Sequence, residues 1–226
     1  MFLDSDKIHL AVVTGGHGFK VPPFLQVFAA MSDVETYHQA LDEYTAFPDI
    51  ARQYDAVLFY NHHQNKPGED LPWFQSRFFD TLNTLGEAQA EMNMGIGVLH
   101  HAFHAFFDFP LWNELSGHSR RREVKVPPMQ EISVHIADPS HPIAAGMSDF
   151  VLFDEPYDMP SALESDGNHI ILESLNPANM SSMAWTRQFR DSRVFCFQSG
   201  HDERVFNDAN YRRVMHNAVR WLAKRA

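Results

Sequence analysis

The chain has 226 residues, 44% of them hydrophobic, with a formal net charge of -11 at pH 7. That length suits one large α/β domain, and the charge argues against general affinity for nucleic acid or anionic lipid. MFLDSDKIHL shows no basic stretch followed by an apolar core, no apolar run reaches the length of a membrane span, and the lone Cys196 excludes an internal disulfide; a cytoplasmic protein without membrane association is expected.

Ile8 to Thr14 reads as a first buried strand and ends at Gly15-Gly16-His17-Gly18. The GxGxxG spacing is missing, so no nucleotide cofactor is expected. Pro22 and Pro23 suit the first turn of a helix running to about Met31. A short strand over Val34 to His38 follows, then a clearer one, Asp55 to Tyr60, running into Asn61-His62-His63. From Trp73 to Met92, Phe74, Phe78, Leu82, Leu85 and Met92 recur at helical spacing. Ile96 to Leu99, bounded by glycine, is a buried strand that passes abruptly into His100, His101 and His104 among aromatic residues. A helical continuation there places His100 and His104 one turn apart on one face. Pro110 opens a second short helix ending at Gly117.

Beyond Gly117 the texture changes. Arg120 to Lys125 is basic, Glu131 to Ile136 alternates like a half-buried strand, and Phe150 to Phe153 leads into Asp154-Glu155-Pro156-Tyr157. Ile170 to Leu172 is a strand, and Met183 to Thr186 with Val194 to Gln198 reads as a hairpin. An amphipathic helix from about Asp208 to Lys224 closes the chain. Strand alternating with helix in the first half predicts parallel strands with crossover helices, and no linker or repeat divides residues 1–226, so a single domain is expected.

Histidine occurs 14 times, and its placement is the informative feature. Four predicted strands are each followed at once by His: His17, His62 with His63, His100 with His101, and His201. Three of those strands belong to the parallel run, whose carboxyl ends share an edge, the usual place for a ligand in such sheets. Any one strand-end His is more often a satisfied polar residue than a functional one; four together favour a site. Imidazole ligates metals, relays protons or donates hydrogen bonds. His17, His100 and His201 are candidate ligands of a divalent metal such as zinc, although no HExxH helix is present. Glu155 or Asp154 is placed to serve His201, with Asp202 beside it. Trp112, Trp185, Phe103 and Tyr157 offer flat faces for a sugar ring if they border the pocket, or core packing if they do not. There is no GxSxG, and Cys196 inside VFCFQ is expected to be packed and unreactive.

GVLHHAFHAFFDFPLWNELSG, DPSHPIAAGMSDFVLFDEPYDM, MAWTRQFRDSRVFCFQSGHDERVF and YRRVMHNAVRWLA resemble the ThuA-like (trehalose-utilisation) proteins from Tyr54 onward. The resemblance implies a three-layer αβα sandwich with a mostly parallel sheet, flavodoxin-like and similar to class I glutamine amidotransferases. In that fold a cysteine stands at the nucleophile elbow with a catalytic His downstream. Here His100 falls on the elbow and His201 near the later His, so glutaminase activity is not implied. The resemblance suggests metabolism of trehalose-type disaccharides or their keto derivatives alongside an oxidoreductase of the same pathway. The FRDSRV loop lacks the family's usual Gly, and His101 with His104 makes the elbow richer in imidazole than usual.

The resulting expectation is a carbohydrate-processing protein in which His100 and His201 are the acid/base or ligand pair and Glu155 their carboxylate. His17, His104, Trp112, Tyr157 and Asp202 are expected to contact substrate, and the protein is expected to be a homo-oligomer. The alternative is a non-catalytic sugar- or metal-binding module, and a third reading is a structural accessory protein.

Overall fold

The computed structural model describes residues 6–46, 53–66, 68–84, 94–118 and 125–226. Nine strands are seen among them: β1 (Ile8–Gly15), β2 (Val34–Ala40), β3 (Ala56–Asn61), β4 (Gly95–Leu99), β5 (Gln130–Ile136), β6 (Phe150–Asp154), β7 (His169–Ser174), β8 (Ser182–Phe189) and β9 (Ser192–Phe197). They form one sheet in the order β2-β1-β3-β4-β9-β8-β7-β5-β6. Pairing is parallel from β2 through β1, β3 and β4 to β9, and antiparallel from β9 through β8, β7 and β5 to β6.

The sheet is therefore mixed, which corrects the expectation of a mostly parallel one. The reason lies in the connections. Parallel neighbours need a crossover of a dozen residues or more, usually a helix. Between β5 and β9 the described helical segments are two three-residue 3-10 turns, Pro142–Ala144 and Glu164–Asp166. Chain without a crossover can only fold back on itself. β9 joins the two halves: it leaves the β8 hairpin antiparallel and then lies parallel to β4, pairing Ile96 with Val194 and Leu99 with Phe197. All four histidine-terminated strands (β1, β3, β4 and β9) thus run parallel, one more than the sequence suggests.

Helices α1 (Val21–Ala29), α2 (Leu41–Thr45), α3 (Trp73–Thr84), α4 (Pro110–Ser116), α5 (Glu203–Phe206) and α6 (Ala209–Leu222) cover the sheet. Period-two alternation sorts each central strand between two cores. Ile8, Leu10 and Val12 of β1 join Phe24 and Phe28 of α1, Phe206 of α5, and Tyr211, Met215 and Leu222 of α6. Ala11 and Val13 face the other way, toward Leu41 of α2, Phe78 of α3 and Trp112 of α4. Leu85, Met92 and residues 120–124 of the basic run from Arg120 to Lys125, which figured in the sequence reading, lie outside the described residues. Among the described residues no helix is long and apolar enough to cross a membrane.

The α6–β4 contact fixes the depth of the elbow strand. A Cβ on Gly95 would lie 2.5 Å from Leu222 Cβ and 2.6 Å from the Leu222 carbonyl oxygen. The second neighbour is helix backbone, which cannot swing aside. Gly95→Ala is expected to cost about 1–3 kcal/mol, as overpacked cores do, seen as a lower denaturation midpoint. Gly18→Ala, whose Cβ meets nothing within 4 Å, should stay within about 0.5 kcal/mol of the parent. Equal midpoints for the two variants would show that α6 is not seated on β4 in this way.

Candidate functional site

β4 ends in the turn that carries His100. The segment His100–His104 is a 3-10 helix, and the α-helical continuation expected from sequence does not form. His100 itself takes a left-handed φ of 47°, a conformation that costs a non-glycine residue energy and is held only where the surroundings impose it. Its imidazole is 1% exposed. Nδ1 lies 2.9 Å from the Gln198 carbonyl oxygen. A carbonyl only accepts, so Nδ1 carries the hydrogen and Nε2 keeps a lone pair. Burial, with His101 adding to it, holds the His100 pKa well below the ordinary imidazole value.

Glu155 meets that lone pair. Its Oε2 is 3.2 Å from His201 Nδ1, which donates to it, and 3.6 Å from His100 Nε2, an approach of two acceptors with no hydrogen bond between them while His100 is neutral. The hydrogen bond that His201 donates to Glu155 raises the His201 pKa, opposite to His100. These three side chains bring their donor atoms within 4.8 Å of one another.

The frame beneath them is Asp154, the last residue of β6 and completely buried. Oδ1 accepts from the backbone N–H of Glu155 (2.9 Å) and of His201 (3.1 Å), and Oδ2 from Gly200 N–H (2.8 Å) and the Ser199 hydroxyl. Burial pushes the Asp154 pKa up while these four donors oppose it. Gln198 adds a second tie, donating 2.7 Å to the Glu155 carbonyl oxygen.

Tyr157 closes one side, 1% exposed, its ring stacked on that of His100 at 5.0 Å. Its hydroxyl is 3.0 Å from Nδ1 and 3.1 Å from Nε2 of His100. A hydroxyl in line with either nitrogen would be much farther from the other, so it stands over the ring face. His104, half-buried, meets Tyr157 edge-on at 4.5 Å. A second group of imidazoles lies alongside. The His17 ring is 4.6 Å from that of His101 and 5.4 Å from that of His62, and His101 is 5.3 Å from His100.

The sequence-predicted residues thus separate. His100, Glu155 and His201 converge, with Tyr157 and His104 against them. His17 stands with His62 and His101, outside the group that His100 and His201 form with Glu155. Trp112 is wholly buried in the core, where Nε1 donates to the Ala102 carbonyl, and Trp185 and Phe103 stack on each other with no exposure; none presents a face to a sugar. Asp202 caps α5 through Arg204 N–H and pairs with the Arg204 guanidinium at 2.5 Å. Sequence reasoning missed Gln198 and the framing role of Asp154. A buried acid at a strand end was the available signal for the second; nothing in the sequence marks the first.

The sequence profile of the ThuA family, described as trehalose utilisation, matches residues 12–222. A ThuA-like protein from Parabacteroides merdae is similar in structure, with a TM-score of 0.73 at 14% identity over 96% of this chain and 90% of that one. A GMP synthase subunit from Thermoplasma acidophilum gives a TM-score of 0.57 at 13% identity, over 96% and 95%. A β-galactosidase from Bacillus circulans sp. alkalophilus gives 0.57 at 8% identity, with 93% of this chain covering 30% of that one. At such identities these likenesses show the fold alone. No curated protein matches the sequence.

Two outcomes follow from the site as built. Asp154→Asn would put an NH2 group against hydrogen-bond donors, and a loss of about 3 kcal/mol is expected by denaturant melting; an unchanged midpoint would mean the carboxylate does not hold the β6 and β9 ends together. Glutamine should not be hydrolysed, because the elbow carries imidazole and Cys196 is buried with no exposure. Ammonia release above the buffer blank, abolished in Cys196→Ser, would contradict this.

Proposed function

The chain belongs to the ThuA family, and from that premise and the carboxylate standing between His100 and His201 we propose that it is an enzyme acting on a trehalose-type disaccharide or its keto derivative. The observation that carries this reading is one Glu155 oxygen standing 3.6 Å and 3.2 Å from two imidazoles at the carboxyl ends of parallel strands. Pairs of titratable groups whose surroundings push them in opposite directions mark an acid and a base. His100, held neutral, offers Nε2 as the base; His201, favoured in its charged form by Glu155, is the acid.

In a keto-disaccharide the hydrogen next to the carbonyl is acidic. Its proton passes to His100 Nε2, the electron pair left on carbon forms a double bond to the anomeric carbon, and the glycosidic C–O bond breaks. The departing oxygen takes a proton from His201. Glu155 keeps the two rings in register and stabilises charged His201. His17 and His104, at the rim, are proposed to contact sugar hydroxyls. An oxidoreductase of the same pathway would supply the keto group, in the cytoplasm, to a single-domain protein that assembles as a homo-oligomer.

The same three side chains suit a divalent metal. Ligand atoms on one tetrahedral zinc lie about 3.3 Å apart, close to the two distances about Glu155 Oε2. His100 also makes the outer hydrogen bond to a backbone carbonyl that orients metal-binding imidazoles. A bound zinc would supply Lewis acidity toward a keto oxygen or a water.

Turnover of a keto-disaccharide is expected to fall about 10²–10⁴-fold in His100→Ala and Glu155→Gln; Glu155→Gln should keep its unfolding midpoint within about 1 kcal/mol of the parent, and His100→Ala, which empties a buried hydrogen-bonded position, should lose about 2–3 kcal/mol. Full turnover in His100→Ala would remove the acid/base reading. A parent that binds the sugar, seen as a thermal shift, yet never turns it over would be a binding module instead.

A further inference from the structure

We propose that His17, His62 and His101 form a second metal site, distinct from the His100–Glu155–His201 group, that takes a zinc-like divalent cation through nitrogen alone. The three residues follow or end β1, β3 and β4, which are adjacent and parallel. Their ring centroids are 4.6 Å (His17–His101), 5.4 Å (His17–His62) and 5.5 Å (His62–His101) apart. Three imidazoles on one tetrahedral zinc, with Zn–N bonds of about 2.0–2.1 Å, have centroids about 5.2 Å apart. The separations of the rings are close to those values, while the aim of their nitrogens is not yet that of a bound set.

Backbone contacts build this placement in. His62 N–H donates to the Gly15 carbonyl oxygen at 2.8 Å, pinning the loop after β1 to the end of β3. A Cβ on Gly16, where φ is +74°, would lie 2.6 Å from the His62 carbonyl oxygen. Only glycine lets that loop lie flat on β3, and lying flat delivers His17 beside His62. His101 is fixed from below. Its Nε2–H donates to the Tyr60 carbonyl at 2.9 Å and its ring packs on Tyr60 at 4.1 Å, which leaves Nδ1 with its lone pair. A backbone carbonyl holding the far nitrogen is the usual support of a metal-ligating imidazole.

The surroundings supply neutral nitrogen and no charged oxygen. The side chains acting electrostatically on His62 and His101 are His17, His63 and His104, with no carboxylate among them. Three neutral imidazoles make the His₃ set of catalytic zinc sites, with a fourth position open to water or substrate. The nitrogens do not yet converge: among the described residues, His100, Glu155 and His201 form the group whose donor atoms lie within 4.8 Å. His17 is exposed, with Gly16 and Gly18 on either side, and the site requires its side chain to turn toward the other two rings. The proposal does not rest on the catalytic reading above.

Zinc bound per chain, measured by elemental analysis on untagged full-length protein after dialysis with zinc, decides it. About two equivalents are expected for the parent, one in His62→Ala, one in Glu155→Gln and none in the double variant. His17→Ala, at an exposed loop position, should reproduce the loss in His62→Ala without disturbing the fold, checked by circular dichroism. Cobalt(II) in Glu155→Gln should give the visible absorption of a tetrahedral nitrogen site. A parent with one equivalent that survives His62→Ala and His17→Ala but vanishes in Glu155→Gln overturns the second site and leaves the first. One equivalent lost in His62→Ala and kept in Glu155→Gln supports the second site and removes the metal from the first. No zinc in the parent overturns both.

Discussion

A buried carboxylate must be surrounded by hydrogen-bond donors, and that requirement on Asp154 organises the site. Its four partners come from two places far apart in sequence: Glu155, the next residue, and Ser199, Gly200 and His201 after β9. An isolated buried charge is too costly to tolerate, so the chain ends of β6 and β9 must meet. β6 is the last strand of the antiparallel half and β9 the last of the parallel run. The antiparallel half is therefore held against the strand ends of the parallel half. Glu155 and His201, whose side chains meet at 3.2 Å, each give their backbone N–H to the same Asp154 oxygen. Their distance is set by backbone, and less entropy is lost in holding it than if two free side chains had to find each other.

The parallel half was legible because buried parallel strands are continuous apolar runs punctuated by glycine, and β1, β3 and β4 fit that pattern. β9 and β8 were legible as a hairpin, but not the fact that β9 also pairs with β4, since a hairpin strand carries no sign of its second neighbour. The sheet was expected to be mostly parallel because the αβα architecture of the resembled fold was carried over whole. Absence of a predicted helix between Glu131 and Gln198 already argued for antiparallel pairing there.

At the site the histidines and Tyr157 were legible, and the tryptophans with Phe103 were not. A polar residue directly after a buried run has few places to go but the end of the sheet. Trp112 follows soon after a histidine-rich elbow in sequence, yet its ring points into the core between the sheet and α3, with Phe59 at 5.5 Å and Phe78 at 5.8 Å. Which face of a short helix is buried depends on what packs against it, and seven residues of α4 carry too little periodicity to show it. Gln198 was invisible for another reason. It acts on His100 through its backbone carbonyl, which any residue possesses.

The tautomers bear on what the site accepts. His100 and His101, adjacent in sequence, each spend their single neutral N–H on a backbone carbonyl, of Gln198 and Tyr60 respectively. Both rings are therefore fixed as acceptors toward the site, and burial keeps both neutral, His101 with a pKa of about 3. Two lone pairs and the Glu155 carboxylate repel an anionic ligand and attract hydroxyl hydrogens, acidic C–H protons or a metal ion. A phosphorylated sugar would have to place its charge elsewhere. The uncharged disaccharide or keto-disaccharide proposed above meets this polarity, since every group it offers to these nitrogens is a hydrogen to give.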